Sequence, residues 1–234
     1  MKSSVFITGV SRGLGKGLAQ VCLADGHEVY SCSRSGASFD KNMHHVDCDL
    51  SALDDIEQTL SQLLAEVRSL ELVILNAGMI GQVKKMQDTD VTELEKIMSV
   101  NVWSNKKILD FLLKSNISIK QIVLISSGAA VLGSKGMSGY AISKAALNML
   151  SKLYAHEFPD THICAIAPGL ISTDMMDYLC HDTDAEAYPA IQRLKSSIGT
   201  EAMQTPEEAA GKIIKALSTL TEFASGEFVD LREI

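Results

Sequence analysis

The sequence predicts an α/β protein: a single doubly wound parallel sheet flanked by helices on both faces, with residues 1–234 forming one domain. Three observations point there. Short apolar, β-branched runs alternate with stretches of helical spacing along the whole chain. The first run passes through a glycine-rich turn straight into a helical pattern. No internal repeat, low-complexity tract or break in composition divides the chain.

Ser4 to Thr8 reads as a buried strand, and Gly9-Val-Ser-Arg-Gly-Leu-Gly-Lys-Gly17 follows it. Leu18 to Ala24 has helical spacing, and Glu28 to Cys32 is a second strand. Strand, glycine turn, helix and strand in that order open a Rossmann-type dinucleotide-binding unit. Glycine is needed there because a pyrophosphate approaches the backbone closely, at a helix N-terminus whose free N–H groups and dipole favour anions. The second strand ends Cys32-Ser33-Arg34, without the acid that holds a ribose 2′-hydroxyl in NAD sites. Arg34, with Arg12 inside the glycine loop, suits a 2′-phosphate instead, so NADP(H) is the expected cofactor.

Met43 to Val46 is a third strand. After it Ser51 is placed to cap a helix running to about Val67, while Asp49 suits either a turn or an acceptor for an adenine amino group. Leu72 to Leu75 is a fourth strand, closed by Asn76-Ala-Gly78 at a ligand-facing edge. Val91 to Lys114 reads as one long helix, in which Asn101 is unfavourable unless it has a partner or a task. Gln121 to Ile125 is another strand, leading through Ser126, Ser127 and a Gly/Ser-rich loop into a helix from about Gly139 to Phe158. Tyr140 and Lys144 lie four apart and therefore share one face of it. His162 to Ala167 is a strand ending at Pro168-Gly169. Residues 170–205 show weak helical spacing and suit a mobile lid. Pro206 to Leu220 is a helix with Pro at its start and acids in its first turn, and Gly226 to Leu231 is the last strand.

Composition narrows the function. An apolar fraction of 46% with 21% charged residues belongs to a folded, water-exposed chain. A net charge of −8 argues against nucleic acid or an anionic membrane as the main partner. No apolar run reaches the ~18–20 residues of a bilayer span. Met1 to Val10 is too short in its apolar part for a secretory signal. Cys22, Cys32, Cys48, Cys164 and Cys180 form no C-x-x-C pair, and with the scattered histidines they give no metal signature. Buried thiols in a reducing cytoplasm are expected.

With these residues in place, the chain resembles the short-chain dehydrogenase/reductase family over nearly its whole length. The resemblance rests on Thr8-Gly-x-x-x-Gly13-x-Gly15, Asn76-Ala-Gly78, Asn101, Ser127, Tyr140-x-x-x-Lys144, and Pro168-Gly169 followed by Thr173. It implies cofactor contacts at Gly9, Ser11, Arg12, Gly13, Leu14 and Gly15, at Arg34, and at Asp49 and Leu50. It implies further contacts at Asn76, Ala77 and Gly78, at Tyr140 and Lys144, and at Pro168, Gly169, Ile171 and Thr173. Within the family the C-terminal half looks most like sepiapterin reductases and bacterial diketone (benzil-type) reductases, through Lys144-Ala-Ala-x-x-Met149-Leu150, Ala167-Pro-Gly-x-x-x-Thr173-Asp174-Met175 and Ser225-Gly226-x-x-Val229-Asp230.

The resemblance implies hydride transfer to a ketone or vicinal dicarbonyl, with Tyr140 as acid and Ser127 holding the substrate oxygen. Lys144 would lower the phenol pKa by about 1–3 units and hold a ribose. Asn101 would position a water that links Lys144 to solvent. Asp230 would anchor a pterin substrate or only shape a turn, since many relatives that bind no pterin also end in Val-Asp; Leu231-Arg232 replaces their usual glycines. A general carbonyl or 3-oxoacyl reductase shares these catalytic residues, and a non-catalytic NADPH-binding regulator is the reading from another class. Small-molecule partners, no nucleic acid, no membrane, and a homodimer or homotetramer through the two long helices complete the expectation.

Overall fold

The computed structural model describes residues 3–36 and 40–234. Met1 and Lys2, part of the opening stretch read above, lie outside the described residues. The chain begins with β1 (Ser4–Thr8), α1 (Gly13–Ala24), β2 (Glu28–Ser33), β3 (Met43–Asp47), α2 (Ile56–Leu63) and β4 (Ser69–Leu75). It continues through α3 (Val91–Met98), a π-turn (Ser99–Trp103), α4 (Ser104–Lys114), β5 (Ser118–Ile125), the short α5 (Ala129–Leu132), α6 (Ser138–Ala155) and β6 (His162–Ala167). The remainder is β7 (Leu170–Ile171), α7 (Asp174–His181), α8 (Pro189–Ser196), β8 (Met203–Gln204), α9 (Pro206–Leu220) and β9 (Phe228–Asp230).

The main sheet has seven strands in the order β3-β2-β1-β4-β5-β6-β9, all parallel. Helices cover both faces, so the central strands carry continuous apolar runs, at residues 5–7, 72–75 and 122–125, rather than a strict alternation. Phe6, Val73, Ile122, Leu124 and Ile163 face one side and pack with Ile56, Leu60, Ile108, Leu112 and Leu147. Val5, Ile7, Ile74, Val123 and Ile166 face the other and pack with Leu18, Cys22, Ala209 and Ile213. All five cysteines are buried and free. Among the described residues no helix is long and apolar enough to cross a membrane.

Several elements differ from the sequence reading, each for a physical reason. α1 starts at Gly13, five residues before the expected Leu18, because glycines that read as loop form its first turn. Ser51 is not a helix cap: it donates its N–H and hydroxyl to Asp49 Oδ1 at 2.9 and 2.8 Å, and α2 waits until Ile56. The long helix is interrupted at Ser99–Trp103 by the π-turn, whose wider winding carries Asn101 into the interior. α6 ends at Ala155 instead of Phe158. Residues 170–205, where helical spacing is weak, carry two helices: α7 and α8 pack Leu179 and Ile191 on Met137, between strands that pair in parallel at Leu170–Met203 and Ile171–Gln204.

α1 and the start of α9 come backbone to backbone at Gly17. A Cβ on Gly17 would stand 2.6 Å from Pro206 O, whereas one on Gly211 would meet nothing within 4 Å. Alanine is favoured over glycine in a helix by about 1 kcal/mol, so the same substitution should change stability in opposite directions. Gly211→Ala should raise the unfolding free energy by up to about 1 kcal/mol; Gly17→Ala should lower it by roughly 1–3 kcal/mol because the backbones must separate. Urea denaturation of both variants checks this.

Candidate active site

The crevice lies over the C-terminal ends of β1 and β4, where the strand order reverses. Side chains pin the two strands there. Buried Thr8 accepts the N–H groups of Asn76 and Ala77 on Oγ1 at 3.0 and 3.1 Å. The Asn76 amide donates back to Thr8 O and Gly9 O at 3.0 and 3.1 Å. The turns then approach so closely that a Cβ on Gly9, at φ +74°, would stand 2.9 Å from Ala77 Cα, and one on Gly15 2.1 Å from Gly9 O. α1 begins beside them without a side-chain cap, leaving the N–H groups of its first turn available to a ligand.

One cavity of about 780 Å³ runs along this edge, within the range of cofactor and small-molecule pockets. Its walls include Gly9, Ser11, Arg12, Gly13, Leu14 and Gly15, then Arg34, Asp49 and Leu50, and then Asn76, Ala77 and Gly78. Ser127, Tyr140, Lys144, Pro168, Gly169, Ile171 and Thr173 complete the predicted set. Asn101 and Asp230 are the two predicted site residues that do not line it. An uncapped helix start beside a glycine cradle that any Cβ would fill fits a dinucleotide pyrophosphate.

The two arginines differ. Arg12 Nη1 donates to Asp174 Oδ2 at 2.5 Å, tying the glycine loop to the first turn of α7. Arg34 is exposed just past the end of β2, lines the same cavity and has no ion-pair partner among the described residues. Asp49 caps its own turn through Ser51; those bonds, with the charges of Arg34 and Lys96, hold its carboxyl below the usual range.

Tyr140 and Lys144 project from one face of α6, one turn apart. The Lys144 ammonium, 3% exposed, donates to Ile125 O at 2.6 Å and stands 5.7 Å from the Tyr140 ring centroid. Burial pulls it from the lysine value of 10.5 down to about 8. Burial also pushes the Tyr140 phenol above its ordinary value, and the Ser127 hydroxyl beside it acts the other way. In this arrangement burial sets the direction of the phenol's shift, and the Lys144 ammonium is bonded to the Ile125 carbonyl.

Asn101 has the partners its burial demands. Its Oδ1 accepts Met79 N–H at 2.8 Å, and its Nδ2 donates to Met79 O and Ser143 Oγ at 2.8 and 2.9 Å. The Ser143 hydroxyl donates in turn to Tyr140 O at 2.8 Å, so Asn101 braces the segment after Gly78 against the Tyr140 helix. A Cβ on Gly78 would lie 3.3 Å from Asn101 Oδ1 and 3.5 Å from Lys144 Nζ; its absence keeps a gap open between them.

Asp230 is committed elsewhere. Its Oδ1 accepts Arg232 Nε at 2.8 Å and Arg232 N–H at 3.0 Å, and its Oδ2 accepts Arg232 Nη2. These bonds fold the chain end into a turn over the carboxylate. The cavity wall carries Arg232 instead, a residue that sequence reading noted as replacing a glycine but gave no role. Arg193 of α8 and buried Met137 are further wall residues that sequence reading did not single out.

The profile of the short chain dehydrogenase family matches residues 3–184. A benzil reductase, (S)-benzoin forming, of Bacillus subtilis is 29% identical over 97% of this chain and 97% of its own length. An NADPH-dependent pterin aldehyde reductase of Arabidopsis thaliana is 27% identical over 80% of this chain and 82% of its own. The crystal structure of a short chain dehydrogenase/reductase from Saccharomyces cerevisiae has the same fold, with a TM-score of 0.84 at 22% identity, covering 98% of this chain and 96% of that one.

Holding a buried lysine charged costs stability. With a native pKa of about 8 against 10.5, the folded state binds fewer protons than the unfolded chain between those values, so this group's contribution to stability rises with pH across that window and is flat outside it. Lys144→Met should therefore raise the unfolding free energy at pH 7 by roughly 1–3 kcal/mol, and the gain should fade by pH 10.5. Denaturation curves at pH 7 and pH 10.5 measure it; a loss of stability at pH 7 would contradict the burial argument.

Proposed function

The chain belongs to the short chain dehydrogenase family, and we propose that within it the protein uses NADPH to reduce a ketone or a vicinal dicarbonyl to the alcohol. The observation that carries this reading is the meeting of Ser127, Tyr140 and Lys144 on the wall of the same cavity as the glycine cradle. A nicotinamide cofactor held there supplies hydride to the carbonyl carbon. Gly9 to Gly15 receive its pyrophosphate, Asp49 and Leu50 flank its adenine, Arg34 meets the 2′-phosphate, and the turns at Asn76–Gly78 and Pro168–Thr173 hold the nicotinamide half.

The chain's own groups handle the oxygen and its proton. Ser127 Oγ–H donates to the carbonyl oxygen and holds it in line with the Tyr140 hydroxyl. Tyr140 Oη–H then delivers the proton as negative charge grows on that oxygen. Because Tyr140 stays protonated in its buried setting, it is in the donating form at neutral pH without first being charged. Lys144 stabilises the phenolate that remains and bonds the adjacent ribose. A water in the gap left by Gly78, next to Lys144 Nζ and Asn101 Oδ1, returns the proton from solvent.

Vicinal dicarbonyls are preferred because the cavity that holds Ser127 also has Leu132, Met137, Met175 and Leu179 in its wall, which suits a poorly charged substrate. Relatives acting on benzil and on pterin aldehydes support the same class. A second copy of the chain completes the proposal: α4 exposes Leu113, and α6 exposes Ile142, Met149 and Leu153, leaving apolar faces for a homodimer or homotetramer.

Tyr140→Phe should lower kcat for a diketone with NADPH by about 10²–10⁴-fold while leaving NADPH affinity nearly intact; near-normal turnover would sink the assignment. Arg34→Asp should weaken NADPH at least about tenfold more than NADH. Equal loss of both cofactors, read from their separate KM values, would count against the 2′-phosphate contact.

A further inference from the structure

Ser127 and Tyr140 account for one substrate oxygen, but a dicarbonyl has two. The wall beside Ser127 carries a group suited to the second. Arg232 lies two residues past the end of β9, and its side chain reaches from one predicted site turn to another. A Cβ on Gly169 would stand 3.8 Å from Arg232 Cγ, and one on Gly128 would stand 3.4 Å from Arg232 Nη2. Gly128 directly follows Ser127, so the guanidinium sits next to the residue that holds the reacting oxygen.

Its orientation is fixed from behind. Asp230, whose side chain is only 10% exposed, takes the Nε–H and one Nη2–H, while the Arg232 side chain remains 56% exposed and lines the cavity. A guanidinium has five N–H donors; with two on Asp230, three remain along its outer edge. The carboxylate behind it largely cancels the positive charge. What the pair offers is therefore a rigid, nearly neutral fork of donors, which favours an uncharged oxygen acceptor over a full anion.

We propose that Arg232, clamped by Asp230, is a specificity residue that receives the second, unreduced oxygen of a vicinal dicarbonyl while Ser127 and Tyr140 hold the first. Asp230 is then a positioning residue that acts through Arg232. The idea rests on the reductase reading and narrows its substrate class. It also gives the Asp230 carboxylate a task other than gripping a pterin directly.

The test compares three substrates with NADPH: benzil, the matching monoketone deoxybenzoin, and the keto acid phenylglyoxylate. In Arg232→Met the ratio of kcat/KM for benzil to that for deoxybenzoin should fall about 10- to 100-fold, with most of the change in KM for benzil. Asp230→Asn should move the ratio the same way by less, and Arg232→Lys should recover part of it. Equal losses on benzil and deoxybenzoin would overturn the proposal. So would a larger loss on phenylglyoxylate than on benzil, which would make this an anion site, served also by the exposed Arg193 on the cavity wall.

If the wild-type protein reduces none of the three, the reductase reading fails and the inference is judged by binding alone. Benzil is then titrated calorimetrically into the NADP⁺ complexes of the wild-type and Arg232→Met proteins. Affinity lost in the variant supports the site, and unchanged affinity removes it. Thermal melts of each variant confirm that the fold is kept.

Discussion

The bonds between Thr8 and Asn76 are the constraint on which the remaining site geometry depends. A parallel sheet whose order reverses between β1 and β4 necessarily opens a crevice at their C-terminal ends. Left to itself, such a crevice would be a pair of loosely related loops. Thr8 Oγ1 and the Asn76 amide close it with hydrogen bonds that satisfy buried backbone groups of both turns at once. Gly9 and Gly15 then follow as requirements of the approach, not as a flexible linker. The start of α1 is brought to the same point, which is why one wall can serve an anionic cofactor while the other carries proton chemistry.

The second wall is held under electrostatic tension. Lys144 is buried with a strand carbonyl as its hydrogen-bond acceptor, and Tyr140 is buried beside it, so each group is shifted toward its neutral form. A site filled by ligand hydroxyls and a carbonyl would relieve part of that tension. Burial of this lysine therefore works against stability. The π-turn at Asn101 belongs to the same economy: it disturbs a long helix so that one amide can brace Met79 and Ser143 behind the reacting face.

What was legible in the sequence is what local chemistry decides. The β1 strand, the glycine turn, the i, i+4 pairing of Tyr140 with Lys144, and the α9 start at Pro206 each depend on neighbours close in the chain. α9 adds a capping box between Thr205 and Glu208 that settles its boundary. The harder features depend on distant partners or on turn geometry. Arg12 meets Asp174 from 162 residues away, a pairing that no local pattern announces. α7 and α8 have only a small apolar cluster at Met137 to bury against, so their helical spacing is faint in the sequence. The fold-back of Arg232 onto Asp230 depends on turn geometry that the sequence does not specify.

The central claim is that this cavity brings a nicotinamide hydride to a dicarbonyl carbon whose oxygen is protonated by Tyr140. The most direct measurement is isotopic. The protein is incubated with benzil and NADPH carrying deuterium at the transferable C4 position, and the hydroxy ketone is examined by mass spectrometry and NMR. The account predicts one deuterium on the carbinol carbon. A hydroxy ketone without deuterium, or no reduction of any dicarbonyl under conditions where NADPH binds, would contradict it.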